Sequence, residues 1–208
     1  HQKFKYPPET MLSHTFYEQH TAEFFDFYRQ KLIVHGAVPN AAHRRLAALE
    51  REGKCKAVVT QNIDGLHQAA GSRVVYELHG STLRNYCTRC GKFFPVQFIE
   101  AAAGVGDGVP RCDACGGIVK PDVVLYEEGL DEETMENAVR AISRADTLIV
   151  GGTSLAVYPA AGLLRYFRGE NLVVINKQPT PADESADLCI AQPIGQVLRE
   201  DVALEEKR

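Results

Sequence analysis

Two cysteine pairs place the tightest constraint on how this 208-residue chain can fold. Cys87 and Cys90 form one Cys-x-x-Cys pair, and Cys112 and Cys115 form a second pair after a gap of 21 residues. Each pair can present two thiolates to one ion, and two pairs complete the tetrahedral shell of a structural Zn²⁺. Because four protein thiolates leave no open position, such an ion stabilises a fold and does not hydrolyse a substrate. Two unrelated thiol pairs, or a redox Cys-x-x-Cys, remain the alternatives.

The residues around the cysteines favour a small metal module with reduced thiols. Gly91 and Gly116 each directly follow a pair, where a tight turn favours a residue without Cβ. Six cysteines in a chain of this length are too sparse for a secreted disulfide scaffold, and the first residues show no secretory apolar segment. We therefore expect a cytoplasmic protein whose residues 83–118 form a zinc-binding small domain.

The composition is that of an ordinary globular protein and excludes several classes of partner. The net charge is −4, from 23 Lys and Arg against 27 Asp and Glu, which argues against a broad electrostatic contact with nucleic acid. No run of about 18 apolar residues is present, so we predict no membrane span. A zinc ribbon that binds nucleic acid should be rich in basic residues, but residues 87–118 show no such excess. Their basic residues are Arg89, Lys92 and Arg111, and their acidic residues are Glu100, Asp107 and Asp113.

Alternating apolar strands and amphipathic helices predict an α/β fold with a parallel sheet. The expected strands are Lys56–Thr60, Val74–Leu78, Val123–Leu125, Thr147–Val150, Asn171–Ile175 and Asp187–Ile190. The expected helices are Thr21–Leu32 with Thr21 as N-cap, a second helix from Pro39-Asn40 to Gly53, Glu132–Ser143, Ala160–Phe167 and one from about Gly195. Cys189 lies in the last strand and is expected to be a small buried hydrophobic residue.

Polar side chains follow the predicted strands, where parallel sheets bind ligands. Gln61, Asn62 and Asp64 come directly after the first strand, although turn and capping chemistry would select the same residue types. The stretch from Gly152 to Ser154 links a strand to a helix, and its backbone N–H groups would favour a phosphate. A simple connection between the strand and the helix explains it equally well.

One histidine stands at a similar position. His79 ends the second predicted strand, and an imidazole titrates near about pH 6.5, which suits proton transfer. A lone histidine is nevertheless more often structural than catalytic. The other histidines have no such setting and are expected to be surface or packing residues; those considered are His14, His20, His35, His43 and His67.

Together these segments resemble the sirtuin family of NAD-dependent protein deacylases, and the bacterial members most closely. The matching stretches occur in the order of the family and span about residues 60–190, which is most of the chain. They are the four cysteines, TQNIDGLHQAAG (60–71), ELHGS (77–81), VKPDVV (119–124), GTSLAVYPAA (152–161), VINK (174–177) and Asp187-Leu188. Jointly the motifs are highly specific, whereas each motif alone is not.

The resemblance implies a Rossmann-like domain over residues 1–82 and 119–208 and an inserted zinc ribbon, with NAD and an acyl-lysine peptide bound in the cleft between them. His79 would be the general base, and Asn62 and Asp64 would complete the catalytic set. The cofactor-binding residues would be Gln61, Asn62, Ile63, Asp64, Gly152, Thr153, Ser154, Asn176 and Lys177. The peptide would pair as an added strand between Val124–Glu128 and Leu155–Tyr158, with Val124, Leu125, Tyr126, Glu127, Leu155 and Val157 as substrate-binding residues.

The implied reaction transfers the acyl group to ADP-ribose. The acyl carbonyl oxygen attacks C1′ of the ribose, and nicotinamide leaves. His79 then removes a proton from a ribose hydroxyl, which attacks the imidate carbon. The lysine amine then leaves, one water molecule is consumed, and the products would be lysine, nicotinamide and, for an acetyl substrate, O-acetyl-ADP-ribose. Because a neutral imidazole is required, activity should fall at acidic pH.

Two departures from the family pattern suggest substrate preferences. Where the family often has Phe-Gly-Glu, this chain has Tyr126, Glu127 and Glu128, and the additional carboxylate suggests a preference for basic residues near the target lysine. Some bacterial relatives bind acidic acyl groups through a Tyr-x-x-Arg pair. The corresponding stretch, Phe25–Tyr28, contains no arginine, so acetyl is expected to be preferred over succinyl.

A third departure concerns NAD. The family opens with a strand, a Gly-Ala-Gly loop and an arginine that bind the pyrophosphate and ribose, and nothing in residues 1–50 matches them. We expect about one βα unit, roughly 30–40 residues, to precede His1, because a missing central strand would leave backbone groups unpaired. The alternatives are a sirtuin-like scaffold that cannot turn over because the first NAD motif is missing, and a non-catalytic zinc-ribbon protein that binds nucleic acid or another protein.

Overall fold

A computed structural model describes residues 4–199, which divide into two compact units. The first unit comprises described residues 4–37, 62–65 and 79–130, and the second comprises 38–61, 66–78 and 131–199. The helices are α1 Pro8–Met11, α2 His14–Gln19, α3 Thr21–Lys31, α4 Ala41–Arg51, α5 Leu66–Ala69, α6 Val96–Ala101, α7 Glu132–Arg144 and α8 Ile194–Val197. The strands are β1 Val58–Thr60, β2 Val75–Glu77, β3 Gly80–Cys87, β4 Phe93–Pro95, β5 Val119–Val123, β6 Thr147–Gly151, β7 Asn171–Ile175 and β8 Leu188–Ile190.

The first unit contains an antiparallel sheet in the order β4-β3-β5. Gly80, at the start of β3, has φ +76°, and a Cβ there would lie 1.9 Å from the carbonyl oxygen of Asp122. Only glycine permits this close pairing. The prediction of a strand at 123–125 in the parallel sheet is wrong. The strand at this position, β5, ends at Val123, where its alternation of buried and half-buried residues also ends, and it pairs with β3 in this small antiparallel sheet.

An aromatic core joins α1–α3 to the cysteine module within the first unit. Phe24 and Phe25 on α3 are fully buried, with ring centroids 5.3 Å apart, and Phe24 packs 5.8 Å from Tyr28. They share one cluster with Ile99 of α6 and Val119 of β5. The boundaries between the two units therefore differ from the domain boundaries predicted at residues 82/83 and 118/119. The physical reason is that the apolar faces of these helices and of the module bury one another.

The second unit carries the parallel strands, in two sheets. β1 pairs with β2, and the other sheet has the order β6-β7-β8. This confirms the α/β class, with the amphipathic helix α7 in the same unit. Cys189 is exposed on β8, so its predicted burial is wrong; among described residues β8 pairs only with β7. Residues Ala160–Tyr166 form a 3₁₀ helix, not the predicted α-helix, and Gly162 in its first turn has low helix propensity.

The observed start of α4 agrees with the position predicted from the sequence, whereas the predicted N-cap of α3 differs from the observed one. Asn40 caps α4 by accepting a hydrogen bond from the His43 amide, and the His43 ring interacts with the Asn40 amide to complete a capping box. Thr21 is the first residue of α3, not its cap, and its hydroxyl donates to the Tyr17 carbonyl. Within residues 4–199, the helices are too short or too polar to be candidates for a membrane span.

Candidate functional site

The four paired cysteines converge in the first unit. Their Sγ atoms all lie within 4.8 Å of one another, with Cys87 and Cys115 at 3.4 Å and Cys90 and Cys112 at 3.7 Å. A disulfide would require about 2.05 Å, whereas thiolates on a tetrahedral zinc, at about 2.3 Å each, lie about 3.8 Å apart. The donor set and its spacing therefore fit one structural zinc ion.

Tight turns hold the thiols in place. Gly91 and Gly116 have φ of +71° and +72°, and their amides donate to the carbonyls of Cys87 and Cys112. The amides of Cys90 and Arg89 lie 3.5 and 3.4 Å from the Cys87 Sγ. These hydrogen bonds, chiefly that from the Cys90 amide, lower the pKa of the Cys87 thiol well below its usual range. A thiolate that is stabilised in this way is prepared to bind a metal cation.

Two of the three basic residues between positions 87 and 118 pair with neighbouring acids. Lys92 Nζ lies 2.6 Å from Asp113, and Arg111 lies 2.9 Å from Asp107. These exposed pairs contribute little stability, but they leave no concentrated positive patch at these positions. The observation does not favour a nucleic-acid-binding ribbon.

The first unit places the polar loop 62–65 against the strand that follows His79. The amide and hydroxyl of Thr82 both donate to the Ile63 carbonyl, at 2.9 and 3.1 Å. Gly65 packs so closely that an added Cβ would lie 2.6 Å from Leu83 Cδ1. His79 itself is partly exposed in the turn between β2 and β3, and its carbonyl accepts from the Val124 amide. The loop with Asn62 and Asp64 is therefore anchored on β3, three residues after His79.

The second unit gathers polar groups at the carboxyl ends of its parallel strands. Gln61 follows β1, and its Nε2 lies 3.4 Å from the hydroxyl of Thr153, which follows β6. The hydrogen bond links the ends of strands that belong to different sheets. Gly152 has φ +63°, and its amide donates to the Ile175 carbonyl at the end of β7. Asn176 follows directly and donates from Nδ2 to the Gln178 carbonyl.

Other predicted cofactor and peptide residues of this unit lie close by in sequence. Ser154 and Lys177 are exposed, as is Val157, which has 41% of its surface accessible. Leu155 is half-buried with φ +53°, and its amide donates to the Thr153 hydroxyl. Residues 154–157 therefore present side chains and backbone to solvent shortly after β6, and Lys177 is exposed after β7.

The predicted peptide-binding residues of the first unit run beside the start of α2. Tyr126 forms a parallel bridge with Ser13: its amide donates to the Leu12 carbonyl and its own carbonyl accepts from the His14 amide, both at 3.0 Å. Leu125 is buried in the core, whereas the Tyr126 side chain is 49% exposed. The backbone of this segment is therefore fixed on one side by residues 12–14.

The two carboxylates after Tyr126 are held differently. Glu127 Oε2 accepts from the amide and the hydroxyl of Thr15, at 2.9 and 2.7 Å, and these bonds lower the pKa of Glu127. Glu128 accepts from the Leu125 amide and contacts His14 at 2.9 Å and Lys120 at 3.2 Å. Partial burial opposes ionisation of Glu128, but these three contacts outweigh it and lower its pKa.

Three residues at this position were missed or misjudged in the sequence. His14 was expected to be a surface or packing residue, and Thr15 and Lys120 were not singled out. His14 contacts Glu128 from 114 positions away and Thr15 contacts Glu127 from 112 positions away, whereas Lys120 lies eight residues from Glu128. No helical or strand periodicity connects these residues, so the sequence offers no local signal for the contacts.

The Sir2 family model matches residues 1–159. A protein from Clostridium acetobutylicum named NAD-dependent protein deacetylase is 63% identical over 195 residues, which cover 94% of this chain and 78% of that protein. A protein of the same name from Clostridium perfringens is 60% identical over 93% of this chain and 78% of its own length.

Solved structures show the same fold. One described as "Sir2-p53 peptide-NAD+" is 38% identical, with a TM-score of 0.85 over 94% of this chain and 82% of that chain. Another, "Sir2 bound to acetylated peptide", is 38% identical with a TM-score of 0.85 over 91% and 80%. Given the matched residues and these bacterial relatives, the chain belongs to the Sir2 family, the sirtuins.

Proposed function

We propose that this protein removes acetyl groups from protein lysines in an NAD-dependent reaction that yields nicotinamide and O-acetyl-ADP-ribose. One observation carries the proposal most directly: the loop with Asn62 and Asp64 is anchored by Ile63 onto β3, immediately after His79. The named activity of the relatives and the peptide and NAD complexes of the similar structures support the same function.

The first unit supplies the proposed catalytic groups. His79 takes a proton from a ribose hydroxyl, which then attacks the carbon of the activated acyl group. Asn62 and Asp64 bind the nicotinamide amide and a water molecule, and Ile63 contributes backbone to the same pocket. Because the two Thr82 hydrogen bonds fix the Ile63 carbonyl, the loop is held in place before the substrate binds.

The second unit supplies the proposed contacts to the remainder of NAD. Gly152, Thr153 and Ser154 face the phosphates and the adenosine, since the turn after β6 offers backbone N–H groups to an anion. Gln61 contacts the nicotinamide ribose and is oriented by Thr153. Asn176 and Lys177, after β7, contact the adenine ribose.

The acyl-lysine peptide is proposed to add as a strand by main-chain pairing. Val124, Leu125, Tyr126 and Glu127 form its binding segment in the first unit, and Leu155 and Val157 form the segment in the second unit. The zinc ion, bound by four thiolates, supplies structural stability to the first unit and no chemistry at the acyl group. Thiolate ligands need a reducing compartment, so we propose a cytoplasmic location.

The experiment is an incubation with NAD and an acetyl-lysine peptide, followed by measurement of nicotinamide. The wild-type protein should release nicotinamide only when both substrates are present. His79→Ala should reduce the rate by about 100-fold or more, as expected for loss of a general base. His35→Ala is the matched control, because this histidine is 73% exposed and paired with Glu100.

The structural integrity of each variant is checked by its thermal midpoint and its zinc content. A His79→Ala protein that folds, binds zinc and retains the wild-type rate would contradict the proposed role of His79. A wild-type protein that binds zinc but releases no nicotinamide would contradict the proposed activity and favour the non-catalytic alternative.

A further inference from the structure

The backbone of Glu127 has a conformation that its residue type disfavours. Its φ is +77°, in the left-handed region that glycine adopts readily and other residues rarely do. Among described residues, Leu155 is the only other non-glycine residue with positive φ. Glu127 lies between Tyr126 and Glu128, inside the segment proposed to pair with the peptide. Something in the structure must therefore offset the backbone strain at this position.

Thr15 makes the contact that offsets this strain. Its amide and hydroxyl both donate to the same oxygen of Glu127, and hydrogen bonds to an ionised acceptor are stronger than neutral ones. The Thr15 amide belongs to the first turn of α2, where an N–H group has no partner within its helix. The carboxylate therefore satisfies this donor and at the same time fixes its own residue.

Neighbouring contacts hold the residues on either side of Glu127. The amide and carbonyl of Tyr126 are hydrogen-bonded to residues 12 and 14, and the Glu128 carboxylate is bound by His14 and Lys120. These contacts fix the ends of the segment, whereas the Thr15 contact is the one that acts on the strained residue itself.

We propose that Thr15 is a positioning residue for the acyl-peptide site, acting through the Glu127 carboxylate to hold the backbone of residues 126–128 in the conformation that pairs with the substrate. The inference rests on the proposed function, since it assigns a role to the segment that would bind the peptide. Glu127 has two separable roles in it. Its hydrogen bonds to Thr15 order the backbone, and its charge acts on basic residues of the peptide.

The test compares Thr15→Val with Thr15→Ser in two proteins, the otherwise wild-type protein and the Glu127→Gly variant. Thr15→Val removes the hydroxyl donor while preserving side-chain shape. It should raise the KM for an acetyl-lysine peptide about fivefold, an effect in the range of the net contribution of one ordinary hydrogen bond, with the KM for NAD unchanged. Thr15→Ser should restore the wild-type peptide KM. In the Glu127→Gly background, Thr15→Val should have no effect, because glycine needs no anchor at this φ.

The chain offers a matched control for a lost threonine donor. Thr134, at the start of α7, donates from its amide and hydroxyl to Asp131 at 2.8 Å each, and it lies outside the proposed peptide segment. Thr134→Val should leave the peptide KM unchanged. Glu127→Gln separates charge from anchoring, since its amide oxygen can still accept from Thr15. It should lower the ratio of rates on peptides with basic and acidic flanks.

Amide hydrogen exchange gives a readout that does not depend on turnover. Exchange at Glu127 and Glu128 should accelerate in Thr15→Val and stay at the wild-type rate in Thr134→Val. An unchanged peptide KM in Thr15→Val, or an equal increase in the Glu127→Gly background, would overturn the proposal. If the wild-type protein releases no nicotinamide, the deacetylase function fails, and exchange together with direct peptide binding still decides the role of Thr15.

Discussion

At the scale of single residues, the carboxylate of Glu128 connects α2, which is 114 positions away in sequence, to nearby residues of its own segment. It contacts His14 from α2 and Lys120 from β5, and it also accepts from the backbone of Leu125. The contact with Glu128, more than the one with Glu18, raises the pKa of His14, although that side chain is exposed. The pKa of Glu128 is lowered by the same contacts against the effect of its burial.

These shifts predict a pH window for the contact between His14 and Glu128. The raised His14 pKa stabilises the fold below about pH 6.5, the value for an unfolded histidine, and this contribution is lost as the pH rises through the folded pKa. On the acid side, the contribution of Glu128 is lost as the pH falls through its lowered pKa. The difference in thermal midpoint between wild type and His14→Ala should therefore be larger at pH 5.5 than at pH 8.

The groups facing His14 allow a control for this pH dependence. Glu18 lies 3.2 Å from Nε2, and Tyr17, whose pKa burial raises to about 12, does not titrate in this range. In a Glu128→Gln background the pH dependence of the His14→Ala effect should shrink to the part due to Glu18. If His14→Ala lowers the thermal midpoint more at pH 8 than at pH 5.5, the assignment of the contact is contradicted.

At the scale of elements, patterns within single segments predict most of the second unit. The strands β1, β2, β6 and β7 lie within one residue of their predicted ends or inside the predicted range, because continuous apolar runs bounded by polar residues mark buried parallel strands. The first unit was less predictable. Its strand β3 contains Thr82, Arg84 and Asn85 and shows no clean alternation, and its register with β5 shifts between Ser81 and Asn85.

The cysteine cluster predicts which elements depend on the metal. Two of its ligands, Cys87 and Cys112, are buried in the same core as Val119 of β5. Chelation of zinc should lower the thermal midpoint and remove hydrogen-exchange protection from β3 and β5, because the free energy of metal binding contributes to folding. The strands β6 and β7 should keep their protection.

Metal analysis of the purified protein provides the control. Wild type should contain one zinc ion per chain, and Cys112→Ser should lose it. Cys55→Ser should retain it, because this half-buried cysteine is not part of the cluster. Metal-free wild-type protein with an unchanged midpoint would refute a structural zinc site.

At the scale of the whole molecule, the residues proposed for the site belong to both units and come from separate parts of the chain. The chain passes from the second unit to the first between Gln61 and Asn62, so one short polar loop contributes to both. The stretch Phe25–Tyr28, considered for recognition of acidic acyl groups, belongs to the core of the first unit. Phe25 and Tyr28 are fully buried there, and Phe27 nearly so.

This burial predicts the preference for the acyl group. A succinyl carboxylate needs a cationic partner when it leaves water, and the stretch 25–28 offers three buried aromatic side chains and the exposed carboxylate of Asp26 instead. The rate on an acetyl-lysine peptide should exceed that on the matching succinyl peptide by about tenfold or more, equivalent to about 1.4 kcal/mol. A propionyl peptide serves as the control for size without charge. A succinyl rate equal to or above the acetyl rate would contradict the prediction.

Residue types and spacing within single segments were sufficient to predict the family, the four thiol ligands and the parallel strands. They also favour His79 and the loop after β1 as the proposed catalytic positions, since polar residues after buried strands mark ligand-binding edges. The folded chain was needed to show that β5 pairs with β3, that α1–α3 share a core with the cysteine module, and that Thr15 and His14 hold the carboxylates of residues 127 and 128. These contacts join residues about 30 to 115 positions apart, and burial in a common core, which no local pattern encodes, brings them together.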